Sequence, residues 1–209
     1  MVRVKICGIT SAADAQAAIE AGANLIGFNF YPKSPRHISE NQAAEIRSKL
    51  PKKVKAVGIF VNWLPADVIT LRSSVGLDAV QLHGNEPPEI VAEIAPVVRV
   101  IKAFRVGSEF PITTLDEYSR AFAFLFDAVN TGQYGGTGRT TDWDVALQAS
   151  LKHRIILAGG LKVDNVAAAV RIVRPYGIDV ASGVESSPGK KDHDLLREFI
   201  KEVRRAERK

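Results

Sequence analysis

The chain has 209 residues, of which 46% are hydrophobic and 24% charged, and carries a formal net charge of +5. This composition suits a soluble globular chain with one sizeable core. Its one cysteine excludes an intramolecular disulfide, so a reducing, cytoplasmic setting is expected. No apolar run approaches the roughly 18 residues of a membrane span, and the first strand is too short for a signal-peptide core. Much of the basic excess lies in "KEVRRAERK", where acids are interspersed, and reads as a solvated helix face. Neither a membrane nor a nucleic acid is expected as a partner.

In chain order, short apolar runs alternate with amphipathic stretches. "VRVKICG" leads to "SAADAQAAIEAG", "LIGFNF" to "SENQAAEIRSKL", and "KAVGIFV" to "PADVITLRSSVG". "DAVQLHG" then leads to "EPPEIVAEIA", and "VRVIKAF" to the weakest helical stretch, "TTLDEYSR". The series ends with "FAFLFDA" and "DWDVALQAS", "RIILAGG" and "VDNVAAAVRIVRP", and "GIDVASGV" and "DHDLLREFIKEVRRAER". The pattern predicts eight strands and eight helices, one unit per roughly 26 residues. Ser11, Ser39, Asp142 and Asp164 are placed to cap helix starts, Gly22 and Gly76 to end helices, and Pro65 and Pro87 to sit in first turns.

Strict β/α alternation implies a parallel sheet covered by helices. Eight equal units favour an α/β fold closed into a (β/α)8 TIM barrel, read as one domain over residues 1–209. An open doubly wound sheet is disfavoured, because "CGITSAADA" after the first strand lacks the G-x-G-x-x-G fingerprint.

In such a barrel the chemistry sits at the C-terminal ends of the strands. Cys7 ends the first strand; Gln81 and His83 end the fourth; Asp127 ends the sixth. Asp179 lies in the eighth strand, followed by Ser182 and Glu185. Period-two alternation groups Arg3, Lys5 and Cys7 on one face, and Leu125 with Asp127 against Phe124 and Phe126. Cys7 and Asp127 are therefore expected to point into the barrel mouth. A lone cysteine is usually a buried small hydrophobe. Its position before Gly8, with Lys5 on the same face to lower the thiol pKa, favours reactivity instead. A carboxylate ending the apolar "FAFLF" must be paired, hydrogen-bonded or functional. His83 reads equally well as a satisfied core histidine or as a site residue.

"LAGGL" and "ASGVESSPG" place Gly159, Gly160 and Gly183 after strands seven and eight, where backbone N–H groups commonly hold a phosphate. "YPKSPRH" offers Arg36, suited to a bidentate carboxylate pair. "VNTGQYGGTGRTT", with four glycines, reads as a mobile lid. No His or Cys pair has metal-ligand spacing, so no metal is expected. These features point to a small phosphorylated substrate with a second anionic group, handled by proton transfer or by a covalent thiol.

Taken in order, "KICGIT", "GFNFYPKSPR", "VGIFVN", "VQLHG", "LFDA" with "GGTG", "LAGGL" and "DVASGVESSPGKKD" resemble the phosphoribosylanthranilate isomerase family of tryptophan biosynthesis along the whole chain. The resemblance implies an Amadori rearrangement without metal or organic cofactor. It implies that Asp127 is the general acid, Cys7 the general base and Arg36 the binder of the substrate carboxylate. It places the phosphate around Gly160, Ser182 and Gly183, with His83 and Asp179 lining the site; Lys5 is expected to line it as well. A monomer or homodimer fits equally well. The alternative is another sugar-phosphate aldose-ketose isomerase on the same barrel, such as the histidine-pathway enzyme. That family places an aspartate where Cys7 stands and calls for a second phosphate site, whereas strand three here ends in "FVNW".

Overall fold

The computed structural model describes residues 1–128 and 142–208. The stretch read above as a lid, residues 129–141, lies outside the described residues.

Eight parallel strands close into a barrel: β1 (Arg3–Cys7), β2 (Leu25–Asn29), β3 (Lys55–Phe60), β4 (Ala79–Leu82), β5 (Arg99–Val106), β6 (Ala123–Ala128), β7 (Ile155–Leu157) and β8 (Gly177–Val180). Closure is made by β1 against β8, with Lys5 beside Asp179 and Ile6 beside Val180. The helices that follow the strands are α1 (Ala12–Ala21), α2 (Glu40–Lys49), α3 (Pro65–Val75), α4 (Pro88–Ile94), α5 (Thr114–Glu117), α6 (Trp143–Ser150), α7 (Val166–Val173) and α8 (His193–Glu207).

Alternation along each strand divides the apolar residues into two layers. Val57, Ile101, Ala103, Leu125 and Ile156 fill the barrel interior. Ile6, Phe28, Val100, Phe124 and Phe126 face outward and pack with helix residues such as Leu196, Phe199, Ile200 and Val203 of α8. The interior is therefore a packed plug that leaves only the ends of the barrel open to ligands.

The helix boundaries follow local chemistry. The Ser11 side chain accepts from Asp14 N, and Ser39 forms a capping box with Gln42. Asp142 caps α6, and Gly22 and Gly76 end α1 and α3 in the left-handed region. Two expectations are corrected. Asp164 does not cap α7: the cap position is Asn165, whose Oδ1 accepts from Lys162 N and whose Nδ2 donates to Gly160 O. Pro87 precedes α4 in an extended conformation, and Pro88 opens the helix, because a residue before proline is driven out of the helical region.

The β8–α8 connection holds an element that strand–helix alternation does not predict. A 3-10 turn (Ser182–Val184) leads into β9 (Glu185–Ser187), which pairs antiparallel with β10 (Lys190–Lys191). Gly189, at φ +83°, makes the turn between them, and Thr10 Oγ1 donates to its carbonyl at 2.6 Å. The Lys191 N–H donates to Asp14 Oδ2 at 3.2 Å, which fastens the hairpin to α1.

Candidate active site

A cavity opens at the C-terminal end of the barrel, and Cys7, Arg36, His83 and Asp127 all line it. Gly159, Gly160, Ser182, Gly183 and Asp179 line it as well. Lys5 was expected as a lining residue and is not one: it is buried beneath Cys7, within the barrel.

The Lys5 ammonium donates to both oxygens of Asp179 at 3.0 Å. Burial acts to lower the pKa of Lys5, but the facing Asp179 and Cys7 outweigh it and hold it above its ordinary value. The space for this arrangement comes from β2. A Cβ on Gly27 would lie 3.1 Å from Lys5 Cε and 3.2 Å from Cys7 Sγ, so the lysine stem and the sulfur share the room that glycine leaves.

Lys5 was expected to lower the Cys7 pKa and acts in that direction, but the net shift of the thiol is upward. Burial pushes the thiol above its ordinary value, and Asp179 adds to that. Lys5 and, less strongly, Lys191 pull the other way without overcoming it. The cation is present as foreseen, but desolvation of the sulfur outweighs it.

Asp127 is buried at the end of β6, and its Oδ1 accepts from the N–H of Ala128 at 2.9 Å. Its Oδ2 lies 3.4 Å from His83 Nε2. His83 Nδ1 is in turn 2.8 Å from Gln81 Nε2. Among the described residues, His83 Nε2 and Gln81 Oε1 are buried without a hydrogen-bond partner. Buried polar atoms are normally satisfied, so these two mark a polar side of the cavity that calls for a partner. His83 thus belongs to the site, beside the carboxylate.

Arg36 reaches the cavity from the β2–α2 loop. Gly8, at φ +73°, passes its stem so closely that a Cβ there would lie 2.6 Å from Arg36 Cδ. Its guanidinium is held by Glu185: Nε donates to Oε1 at 2.9 Å and Nη2 to Oε2 at 2.7 Å. That hydrogen bonding keeps the Arg36 pKa above its ordinary value. Nη1 makes no hydrogen bond among the described residues and is free to take a second carboxylate.

The two glycine-rich strand ends meet. Gly159 and Gly160 have φ of +78° and +64°. A Cβ on Gly159 would lie 2.4 Å from Ala128 N and 2.8 Å from Asp127 Oδ1, so this glycine also leaves room for the carboxylate. A Cβ on Gly183 would sit 1.9 Å from Leu161 O, so only glycine lets the β7 and β8 loops approach this closely. Ser182 and Gly183 open the 3-10 turn, whose first N–H groups have no acceptor within it. This concave set of amides can bind an anion. No group of three or more His, Cys, Asp or Glu side chains is arranged to hold a metal among the described residues.

Sequence reasoning passed over Lys191 and Asn165. Asn165 ties Gly160 O to the start of α7. The Lys191 side chain is fully buried and its ammonium lies 2.8 Å from Glu185 Oε1. The Pro-Gly turn in "SSPGKKD" is the signal that a hairpin brings Glu185 and Lys191 opposite each other.

Comparison with known proteins supplies the family. Residues 4–202 match the family model described as N-(5'-phosphoribosyl)anthranilate (PRA) isomerase. The N-(5'-phosphoribosyl)anthranilate isomerase of Pelobacter propionicus is 50% identical over 201 residues, covering 96% of this chain and 95% of that protein. The crystal structure of phosphoribosyl anthranilate isomerase from Thermotoga maritima superposes with a TM-score of 0.89 at 46% identity, covering 98% of this chain and 99% of that one. A crystal structure of such an enzyme in complex with reduced 1-(o-carboxyphenylamino)-1-deoxyribulose 5-phosphate superposes with a TM-score of 0.86 at 43% identity, covering 98% of this chain and 99% of that one.

Proposed function

The chain belongs to the N-(5'-phosphoribosyl)anthranilate isomerase family and catalyses that isomerisation in tryptophan biosynthesis, and from this premise we propose that Cys7 and Asp127 carry its two proton transfers. The observation that carries the assignment is a thiol and a carboxylate lining one cavity, with an arginine fork and two glycine-rich loops around them.

Asp127, as general acid, gives a proton to the ribose ring oxygen. The C1–O bond breaks, and the anilino nitrogen supplies the electron pair that forms the iminium. The C2 proton, now next to a cationic carbon, is acidic. Cys7, as thiolate, removes it, and the C–H pair moves into the C1–C2 bond while the iminium electrons return to nitrogen. The enol-amine then tautomerises to the ketone, with a proton added at C1 and one lost from the C2 hydroxyl. The developing cation also offsets the burial that holds the thiol protonated in the free enzyme. His83, beside Asp127, is placed to hold the substrate hydroxyls or the departing ring oxygen. Arg36 Nη1 takes the anthranilate carboxylate, and the amides around Gly160, Ser182 and Gly183 take the phosphate. The protein is read as a cytoplasmic monomer or homodimer that binds neither nucleic acid nor membrane. One supporting fact is that no helix among the described residues is long and apolar enough to cross a membrane.

The test is a fluorescence assay that follows consumption of phosphoribosylanthranilate. The wild type is expected to turn over, and no turnover would remove the reading. Arg36→Ala is expected to raise KM about tenfold or more, as loss of a charge-assisted hydrogen bond does. An unchanged KM would remove Arg36 from its role.

A further inference from the structure

Behind Arg36 and Cys7 lies a buried charge cluster that the two proton transfers do not use. Lys191 comes from β10, with its side chain wholly buried. Its Nζ donates to Glu185 Oε1 at 2.8 Å and to Ala181 O at 3.2 Å. The Glu185 side chain, also buried, shares Oε1 between Lys191 and Arg36 Nε and gives Oε2 to Arg36 Nη2. A buried ammonium is costly unless paired, and a hairpin that merely closed a loop would be served by an apolar residue at this position.

The charges explain the third member. Arg36 and Glu185 alone form a neutral, mutually satisfied pair, and a neutral pair attracts a carboxylate weakly. With Lys191 the three side chains sum to one positive charge. Glu185 then fixes the plane of the guanidinium without cancelling its attraction for an anion. The charge of Lys191 also acts on Cys7, whose ionisation it favours.

We propose that Lys191 is a positioning residue that holds Arg36, through Glu185, for an aryl carboxylate and leaves a net positive charge behind the cavity that Arg36 and Cys7 both line. The carboxylate half of this rests on the isomerase reading above; the thiol half does not. The groups facing Cys7 are Lys5 on its own strand, Asp179 on β8, Lys191 on β10 and Arg36 on the β2–α2 loop. Asp127 on β6 and His83 on β4 line the same cavity. The two variants below change only the hairpin charges and leave all the others in place.

Because Cys7 is the single cysteine, the pH dependence of iodoacetamide alkylation reads its ionisation without substrate. Lys191→Met, which keeps length and removes charge, is expected to move the alkylation midpoint up. Glu185→Gln leaves Lys191 unopposed and is expected to move the midpoint down. A residue that only packs the hairpin would give no shift or shifts of one sign, and either result, with wild-type circular dichroism, overturns the proposal. If Lys191→Met does not fold, Glu185→Gln decides alone: a downward shift supports the proposal and an unmoved midpoint overturns it. In the turnover assay Lys191→Met is expected to raise KM about tenfold. An unchanged KM overturns the clamp half. Absence of turnover by the wild type would count against the isomerase reading and leave the alkylation result standing.

Discussion

Cys7 is set between opposing influences. Burial holds it as a thiol, two lysines draw it toward thiolate, and Asp179 partly screens the nearer lysine. In the proposed mechanism the residue stays protonated until a cation forms beside it, which would suit a base that must not be alkylated or oxidised between turnovers. Alkylation of Cys7 in the free wild type is accordingly expected to be slow at neutral pH, with a midpoint above the ordinary thiol value of about 8.5. A midpoint at or below that value, measured as a rate against pH, would contradict the balance. The position of Cys7 at a strand end, and that of Asp127 after an apolar run, were legible because period-two alternation sends both into the mouth. The direction of the Cys7 shift was not legible. Desolvation depends on what covers the sulfur, and that is decided by residues far away in the chain.

The elements bring these residues together through glycines whose missing side chains leave specific gaps. Gly8 passes the stem of Arg36, Gly27 makes room for Lys5 and Cys7, and Gly183 lets the β8 loop touch Leu161. Gly183→Ala must push the β7 and β8 loops apart, because the new Cβ would fall 1.9 Å from Leu161 O. This substitution is expected to raise KM about tenfold with the circular dichroism unchanged, since the anion-binding amides lose their spacing. A KM equal to that of the wild type would place the phosphate elsewhere. The glycines themselves were visible in "LAGGL" and "ASGVESSPG". The β9–β10 hairpin was hidden, because three-residue and two-residue strands carry no periodic signal. Asp164 and Asn165 are adjacent cap formers, and sequence spacing did not separate them; the hydrogen bond from Asn165 to Gly160 O does.

At the scale of the molecule, the closed barrel separates stability from chemistry. The apolar plug inside and the helix layer outside hold the fold, and the polar site is confined to one end. Lys5–Asp179 is a buried ion pair inside the barrel, directly under Cys7. Its titration ties site to stability with a definite sign. The Lys5 pKa is raised in the folded state, so its contribution is present below the unfolded lysine value of about 10.4 and is lost as pH rises through the folded value. Cys7 is also raised. The folded protein holds that proton more tightly than the unfolded chain, so stability falls above the unfolded thiol value of about 8.5. Lys102 and Lys191, whose pKa values burial lowers, act with the opposite sign, so the contribution of Cys7 is read by difference. Cys7→Ala is expected to lose urea midpoint less steeply than the wild type as pH rises above about 8.5, and an unchanged slope would contradict the assigned shift. The barrel itself was legible from eight equal β/α units, because each strand and helix announces itself by its own period. The net charge of +5 suggested only an anionic partner, and the cations at the barrel mouth sit beside particular partners that composition does not reveal.

The claim on which the rest depends is that Cys7 and Asp127 move the two protons. It is tested most directly by the kcat of Cys7→Ser and of Asp127→Asn, followed by loss of phosphoribosylanthranilate fluorescence. Each variant is expected to keep the circular dichroism of the wild type and to lose about 10²- to 10⁴-fold in kcat, the usual contribution of a positioned acid or base. A near wild-type kcat in either variant would contradict the account.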